Sequence, residues 1–296
     1  MAKYLKKTEI KKLFIVSIPD GLMNFLTQNM PNKSRNAIKS HLAHQQVRVN
    51  DTIVTKFDYQ LQIGNTVTVS NEIAVEKPKL KGVRIVHDDD FIIVIEKDAG
   101  LLTMATEKGG DTTAYSQLRD FVKVDGIENK IFIVHRLDKD TSGLMVFAKS
   151  EDVKLWMQEH WDEIVTERNY IAVVEGIVEK EEGTVKSYLK ENEALLVFSS
   201  QNPRGGKLAI THYRTLKANS QYTLLELALE TGRKNQIRVH MQDIGHSVVG
   251  DKKYGSSESP IGRLALHAWK LSFIHPENEE EISFETGIPR KFKELV

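Results

Sequence analysis

Between two apolar runs that read as buried strands, Ile131–Val134 and Leu144–Ala148, the chain crowds His135-Arg136-Leu137-Asp138-Lys139-Asp140-Thr141-Ser142-Gly143. Burying polar groups costs free energy unless each finds a partner, so polar residues packed between buried strands mark a site. Gly143 supplies a backbone freedom that other residues lack. Asp138 has the chemistry of a nucleophile or general base, and His135 that of a base. The competing reading is an ion-paired turn in which Asp138 accepts a neighbouring amide.

At 296 residues the chain has room for about two domains and a sizeable core. Its formal charge is zero, yet the charges are unevenly placed. Residues 1–86 hold 14 Lys and Arg against 6 Asp and Glu, a net +8; the remainder holds 27 against 35, a net −8. A basic N-terminal part on an acidic body points to one end that handles a polyanion. The charged stretch 71–82, with Pro78 and a closing Gly82, reads as the join. We therefore expect an N-terminal module over 1–75, a linker over 76–83 and a body over 84–296. Cysteine is absent, which removes disulfides, thiolate metal sites and thiol nucleophiles, and fits a reducing, cytoplasmic setting. The apolar run Leu13–Ile18 is shorter than the roughly 7–15 residues of a secretory core. No window reaches the roughly 20 apolar residues of a membrane span.

In the N-terminal part, Ser34 is placed to cap a helix running to about His44, with Ile38 and Leu42 on one face and Lys33, Arg35 and Lys39 on another. Val47-Arg48-Val49 alternates before an Asn50-Asp51 turn. Leu61, Ile63, Val67 and Val69 alternate about Gly64-Asn65, which predicts a hairpin. Ser34-Arg35, Ile38, Val47, Val49-Asn50 and Gly64–Val69 resemble the alpha-L RNA-binding motif over about residues 12–70. That resemblance implies that Arg35 and Lys39 meet an RNA backbone.

His135-Arg136-Leu137-Asp138, with Thr141-Ser142-Gly143-Leu144 and Ala148-Lys149, resembles the signature of RluA-type RNA pseudouridine synthases. Further blocks follow in order: Val86–Lys97, Arg168–Gly176, Thr231–His240, Gly250–Gly255, Leu266-His267-Ala268 and His275-Pro276. The resemblance runs from about residue 84 to Pro289. It implies an α+β fold, a catalytic core with a mainly antiparallel mixed sheet and a central cleft. The implied activity is isomerisation of uridine to pseudouridine in structured RNA, with large-subunit ribosomal RNA the first expectation and transfer RNA the second.

That reaction breaks an N-glycosidic bond and rejoins the sugar to carbon 5 of the same base, so it needs no metal, nucleotide or other cofactor. By resemblance Asp138 is the carboxylate beside sugar and base, Tyr170 stacks on the uracil, and Arg238 pairs with Asp138 and keeps it ionised. Arg136 enters the duplex in place of the flipped base, His135 orients the loop, and Leu266 lines the pocket. Asp98, Asn235 and Ser247 depart from the family's usual Pro, His and Pro beside these positions. No obligate protein partner is implied. The rival readings are a non-catalytic RNA-binding or ribosome-assembly factor on the same scaffold, and an aspartate-based RNA hydrolase. The first should have lost Asp138, Tyr170 or Arg238, and the second would want a second carboxylate or a metal cluster.

Overall fold

A computed structural model describes residues 12–70, 77–105, 109, 112–124, 126, 128–256 and 259–296. The chain divides into two compact units, Met1–Lys77 and Pro78–Val296. Among the described residues no helix is long and apolar enough to cross a membrane. Most of the expected linker is described, but its first residue, Glu76, lies outside the described residues.

In the first unit β1 (Lys12–Ile15), β2 (Asp20–Gly21), α1 (Leu22–Asn29), α2 (Arg35–Ala43), β3 (Val47–Val49), β4 (Thr52–Ile53), β5 (Gln60–Leu61) and β6 (Thr66–Val69) follow in order. Helix α2 begins as expected: the Ser34 hydroxyl accepts the Ala37 N–H at 3.2 Å, satisfying a donor that the first turn leaves open. Ile38 and Leu42 enter the core while Arg35 and Lys39 stay exposed. Asn50 and Asp51 both take positive φ, 49° and 62°, the two-residue turn whose twist suits a hairpin between β3 and β4.

The hairpin expected around Gly64-Asn65 does not form. Strand β5 pairs with β2, whereas β6 lies between β1 and β3 in an antiparallel sheet of order β1-β6-β3-β4. The alternation that suggested it is broken at Ile63, which is 69% exposed while Leu61 and Val67 are buried. The Asn65 side chain accepts the Gln62 N–H at 2.8 Å, so the turn is real, but its two arms find different partners.

The second unit is built from β7 (Val83–Asp88), β8 (Ile92–Lys97), α3 (Ala114–Val122), β9 (Phe132–Ile133), β10 (Ser142–Ala148), α4 (Glu151–Glu159), α5 (Trp161–Ile164), β11 (Val165–Glu175), β12 (Glu182–Glu191), β13 (Val197–Ser200), β14 (Lys207–Ala218), β15 (Tyr222–Leu229), α6 (Gln236–Asp243), β16 (Leu266–Ile274), β17 (Glu281–Glu285) and α7 (Arg290–Leu295). Its sheet runs β13-β12-β14-β15-β11-β16-β10-β8-β7, with β17 added on β16 and β9 on β10. Only the β10–β16 pair is parallel among the described strands, so the fold is α+β with a mixed, mainly antiparallel sheet.

Strands β8 and β10 read as continuous apolar runs because both faces of the sheet are covered there. Ile93, Ile95, Met145 and Phe147 enter one core, and Ile92, Val94, Leu144, Val146 and Ala148 enter the other. Thr113 and Ser116 close a reciprocal capping box at the start of α3, and Ser150 caps α4. At Gly143 φ is +117°, and an added Cβ would stand 2.1 Å from the Ala268 carbonyl oxygen. Only glycine lets β10 approach β16 so closely, and that approach ends the polar loop.

Candidate active site

The loop between β9 and β10 is held through its own backbone, leaving the Asp138 side chain free to face outward. The Thr103 hydroxyl donates to the Leu137 carbonyl at 2.9 Å, and the Thr141 N–H to the Asp138 carbonyl at 3.2 Å. The Lys139 carbonyl accepts from the Gly100 N–H and from Lys97 Nζ, at 2.8 and 3.1 Å. Lys97 has no exposed surface, and its ammonium also donates to the Asp98 and Leu101 carbonyls at 2.9 and 2.8 Å. Burial pushes its pKa down to about 8, against the opposing pull of Asp140 and Asp138.

Behind the loop, His135 Nε2 accepts the Val146 N–H at 3.1 Å, and its ring packs on Trp161 with centroids 4.8 Å apart. Burial, assisted by the charge of Arg168, pushes this imidazole down to about 3, so it stays neutral. His135 is not among the residues lining the pocket described below, so its geometry suits anchoring the loop and not touching a ligand.

Asp138 opens on a pocket of about 340 Å³, within the usual range of roughly 300–1,000 Å³ for small-ligand sites. Arg136, Leu137, Tyr170 on β11, Leu266 at the head of β16 and Arg238 on α6 share its wall, with Thr141, Arg168 and the 232–237 segment. Tyr170 is 5% exposed, Leu266 3%, and the Asp138 side chain 30%. Arg136 is exposed, with Nη1 3.9 Å from Met104 Sδ. Arg35 and Lys39 belong to the other unit and are not part of this wall.

Arg238 and Asp138 form the expected ion pair, but the hydrogen bonds of the guanidinium go elsewhere. The guanidinium grips Asp251 with two hydrogen bonds, Nε to Oδ2 at 2.6 Å and Nη2 to Oδ1 at 2.7 Å. Asp138 Oδ2 stands 3.7 Å from Nη1, an ion pair beyond hydrogen-bond reach. Nη1 donates to Asn235 Oδ1 at 3.0 Å, and the Tyr254 ring centroid lies 4.9 Å from Cζ. Burial works against the charge of Arg238, but the Asp251 hydrogen bonds and charge overcome it and hold the group above its ordinary value. The Asp251 side chain has no exposed surface and also accepts the Lys253 and Tyr254 N–H groups at 3.1 Å. Asn235 sits in a left-handed conformation at the start of α6 and donates to the Tyr254 hydroxyl at 3.0 Å.

Sequence reasoning missed Asp251, Lys97 and Arg168 as parts of this site. The signal for Lys97 was a cation at the end of a strand that opens with the apolar run Ile92–Ile95; Asp251 lay inside a quoted block without a partner to suggest its use. Among the described residues no group of three His, Cys, Asp or Glu is placed to hold a metal ion.

The family model for RNA pseudouridylate synthases matches residues 91–243. The chain is 32% identical to the Uncharacterized RNA pseudouridine synthase YhcT of Bacillus subtilis, over 88% of both chains. It is 34% identical to the Ribosomal large subunit pseudouridine synthase D of Neisseria meningitidis serogroup B, over 92% of this chain and 76% of that one. Among solved structures it resembles human RNA Pseudouridylate Synthase Domain Containing 4, with TM-score 0.58 and 25% identity over 71% of this chain and 90% of that one. With a family model spanning most of the second unit and relatives matched over 76–88% of their own length, the chain belongs to the RluA-type RNA pseudouridine synthases, isomerases that act on RNA.

Proposed function

We propose that this enzyme converts uridine to pseudouridine in large-subunit ribosomal RNA. The observation that carries the catalytic part is the convergence of Asp138, Tyr170 and Arg238 on one pocket. Asp138 is the carboxylate that meets the sugar and base. It is the anionic side chain on that wall, and the backbone bonds of its loop fix its place at no cost to its oxygens. Tyr170 provides the flat apolar surface on which a detached uracil turns before carbon 5 meets the sugar. Leu266 and Leu137 keep that space dry. Arg238, locked by Asp251, presents Nη1 towards Asp138 and steadies its negative charge without quenching it in a tight pair. Arg136, exposed and next to Leu137, fills the gap left by the extruded base; its guanidinium both stacks and hydrogen-bonds.

The ribosomal target is supported by relatives named Ribosomal large subunit pseudouridine synthase D, at 33–34% identity over 92% of this chain. The first unit, with the exposed Arg35 and Lys39 on α2, acts as an RNA-backbone grip of the alpha-L type. The test is pseudouridine mapping of ribosomal and transfer RNA from cells with and without the gene. Loss of large-subunit sites is the expected result. Loss confined to transfer RNA would move the target, and persistence of every site would refute the proposal. Asp138→Asn should abolish tritium release from uridine labelled at carbon 5 while RNA binding survives; retained turnover would remove Asp138 from its role.

A further inference from the structure

Of the five cations on the pocket wall, Arg136 is exposed to solvent and three are already engaged by the protein. Arg238 is gripped by Asp251, Lys234 pairs with Glu191, and Arg233 Nε donates to the Leu208 carbonyl at 3.0 Å. Arg168 differs. Two residues before Tyr170 on β11, it lies on the same face of the strand, and it lines the same pocket. Its Nε is shielded from solvent and has no hydrogen-bond partner among the described residues. Among the described residues no carboxylate lies within ion-pair distance of it. The side chain is nevertheless held in place. Cζ lies 5.9 Å from the Trp161 ring centroid, and a Cβ added at Gly232 would come within 2.0 Å of Nη1. Gly232 therefore leaves the space that the guanidinium occupies.

A half-buried guanidinium without an anion is unfavourable by itself and becomes favourable when an anion arrives. Uracil is neutral, and Asp138 is outside ion-pair reach of Arg168. The remaining anion that an RNA substrate brings is its backbone. We propose that Arg168 binds the phosphate of the nucleotide whose base enters the pocket, as a positioning residue that sets the depth to which the uridine is drawn towards Asp138. The inference rests on the reading that this pocket receives a uridine of an RNA chain. A planar fork suits a phosphate because two parallel N–H groups can meet two oxygens, which lysine cannot do.

The experiment uses the full chain and, as probe, total RNA labelled with tritium at uridine carbon 5, from cells lacking the gene, separated into ribosomal and transfer fractions. Tritium release is followed against RNA concentration at several salt concentrations for wild type, Arg168→Gln, Arg168→Lys and Gly232→Ala. Arg168→Gln should raise KM about tenfold or more, the loss expected for one charged hydrogen bond. It should also flatten the slope of log KM against log salt by roughly 0.7–0.9, the value for one phosphate contact. Arg168→Lys should keep the slope and recover part of KM. Gly232→Ala, which pushes the guanidinium aside, should move KM in the same direction as Arg168→Gln at an unchanged melting temperature. An unchanged salt slope in a folded Arg168→Gln overturns the phosphate role. So does a loss of activity that tracks only a loss of melting temperature in all three variants. If wild type is silent on both fractions, the pocket reading falls and this inference with it; if only the fraction differs from that proposed, Arg168 is still judged by its slope.

Discussion

Replacing Asp251 by Asn keeps the side-chain volume and tests whether the position of Arg238 depends on its buried partner. The wild-type contact is two short hydrogen bonds, 2.6 and 2.7 Å, between ionised groups, with no exposed surface on the acid and 12% on the arginine side chain. Asparagine removes the charge and turns an N–H donor towards a guanidinium that has only donors, so one bond is lost and the other weakened. With a charged hydrogen bond worth about 1.5–3 kcal/mol, the change costs about 3 kcal/mol. That is at the lower end of the roughly 3–5 kcal/mol seen when one partner of a buried pair is removed. If the whole loss appears in the placement of Arg238 beside Asp138, single-turnover tritium release slows by about 100-fold, at about 1.4 kcal/mol per tenfold. If it appears in the fold, the melting temperature falls by roughly 6–12 °C, at about 2–4 °C per kcal/mol. Both are measured on one preparation, by rapid-quench tritium release and thermal unfolding. A variant within threefold of the wild-type rate and with an unchanged melting temperature would refute the claim that Asp251 positions Arg238.

Two other perturbations follow from the same geometry. Lys97 has a folded pKa of about 8 against an ordinary 10.5, so between those values the unfolded chain holds more protons and stability rises with pH. The contribution is about 3 kcal/mol at about 1.4 kcal/mol per unit; Lys97→Met should lack this rise in urea unfolding at pH 7.5 and pH 10, and an identical pH dependence would contradict it. Arg35→Gln with Lys39→Gln, both exposed on α2, should weaken RNA binding and reduce its salt slope by roughly 1.4–1.8, as for two phosphate contacts; an unaltered slope would argue against α2 as the grip.

The local elements were largely legible because their signals are local. Ser34 announces a helix start, Asn50-Asp51 announces a tight turn, and the apolar run at 144–148 announces a buried strand, whereas the run at 131–134 yields only the short, half-buried strand Phe132–Ile133. The hairpin read about Gly64-Asn65 failed where alternation had to predict which strand would pair with which. Pairing is decided by burial against α1 and the other strands, and that information is spread along the chain.

The same division runs through the site. By itself the sequence determined the chemistry available: a polar loop between buried strands, its Asp138, and the Tyr and Arg blocks that mark the family. It also determined that a zero net charge conceals a basic first part and an acidic body. Only the tertiary structure decided which carboxylate Arg238 grips, because Asp251 and Asp138 lie 13 and 100 residues from it and their distances follow from how α6 docks on the sheet. It also decided that Lys97 is a buried clamp on three carbonyls and that Arg168 stands in the pocket with no carboxylate in ion-pair reach among the described residues. Residue types carry their chemistry wherever they sit, but partner, burial and distance arise only when remote segments close on one another.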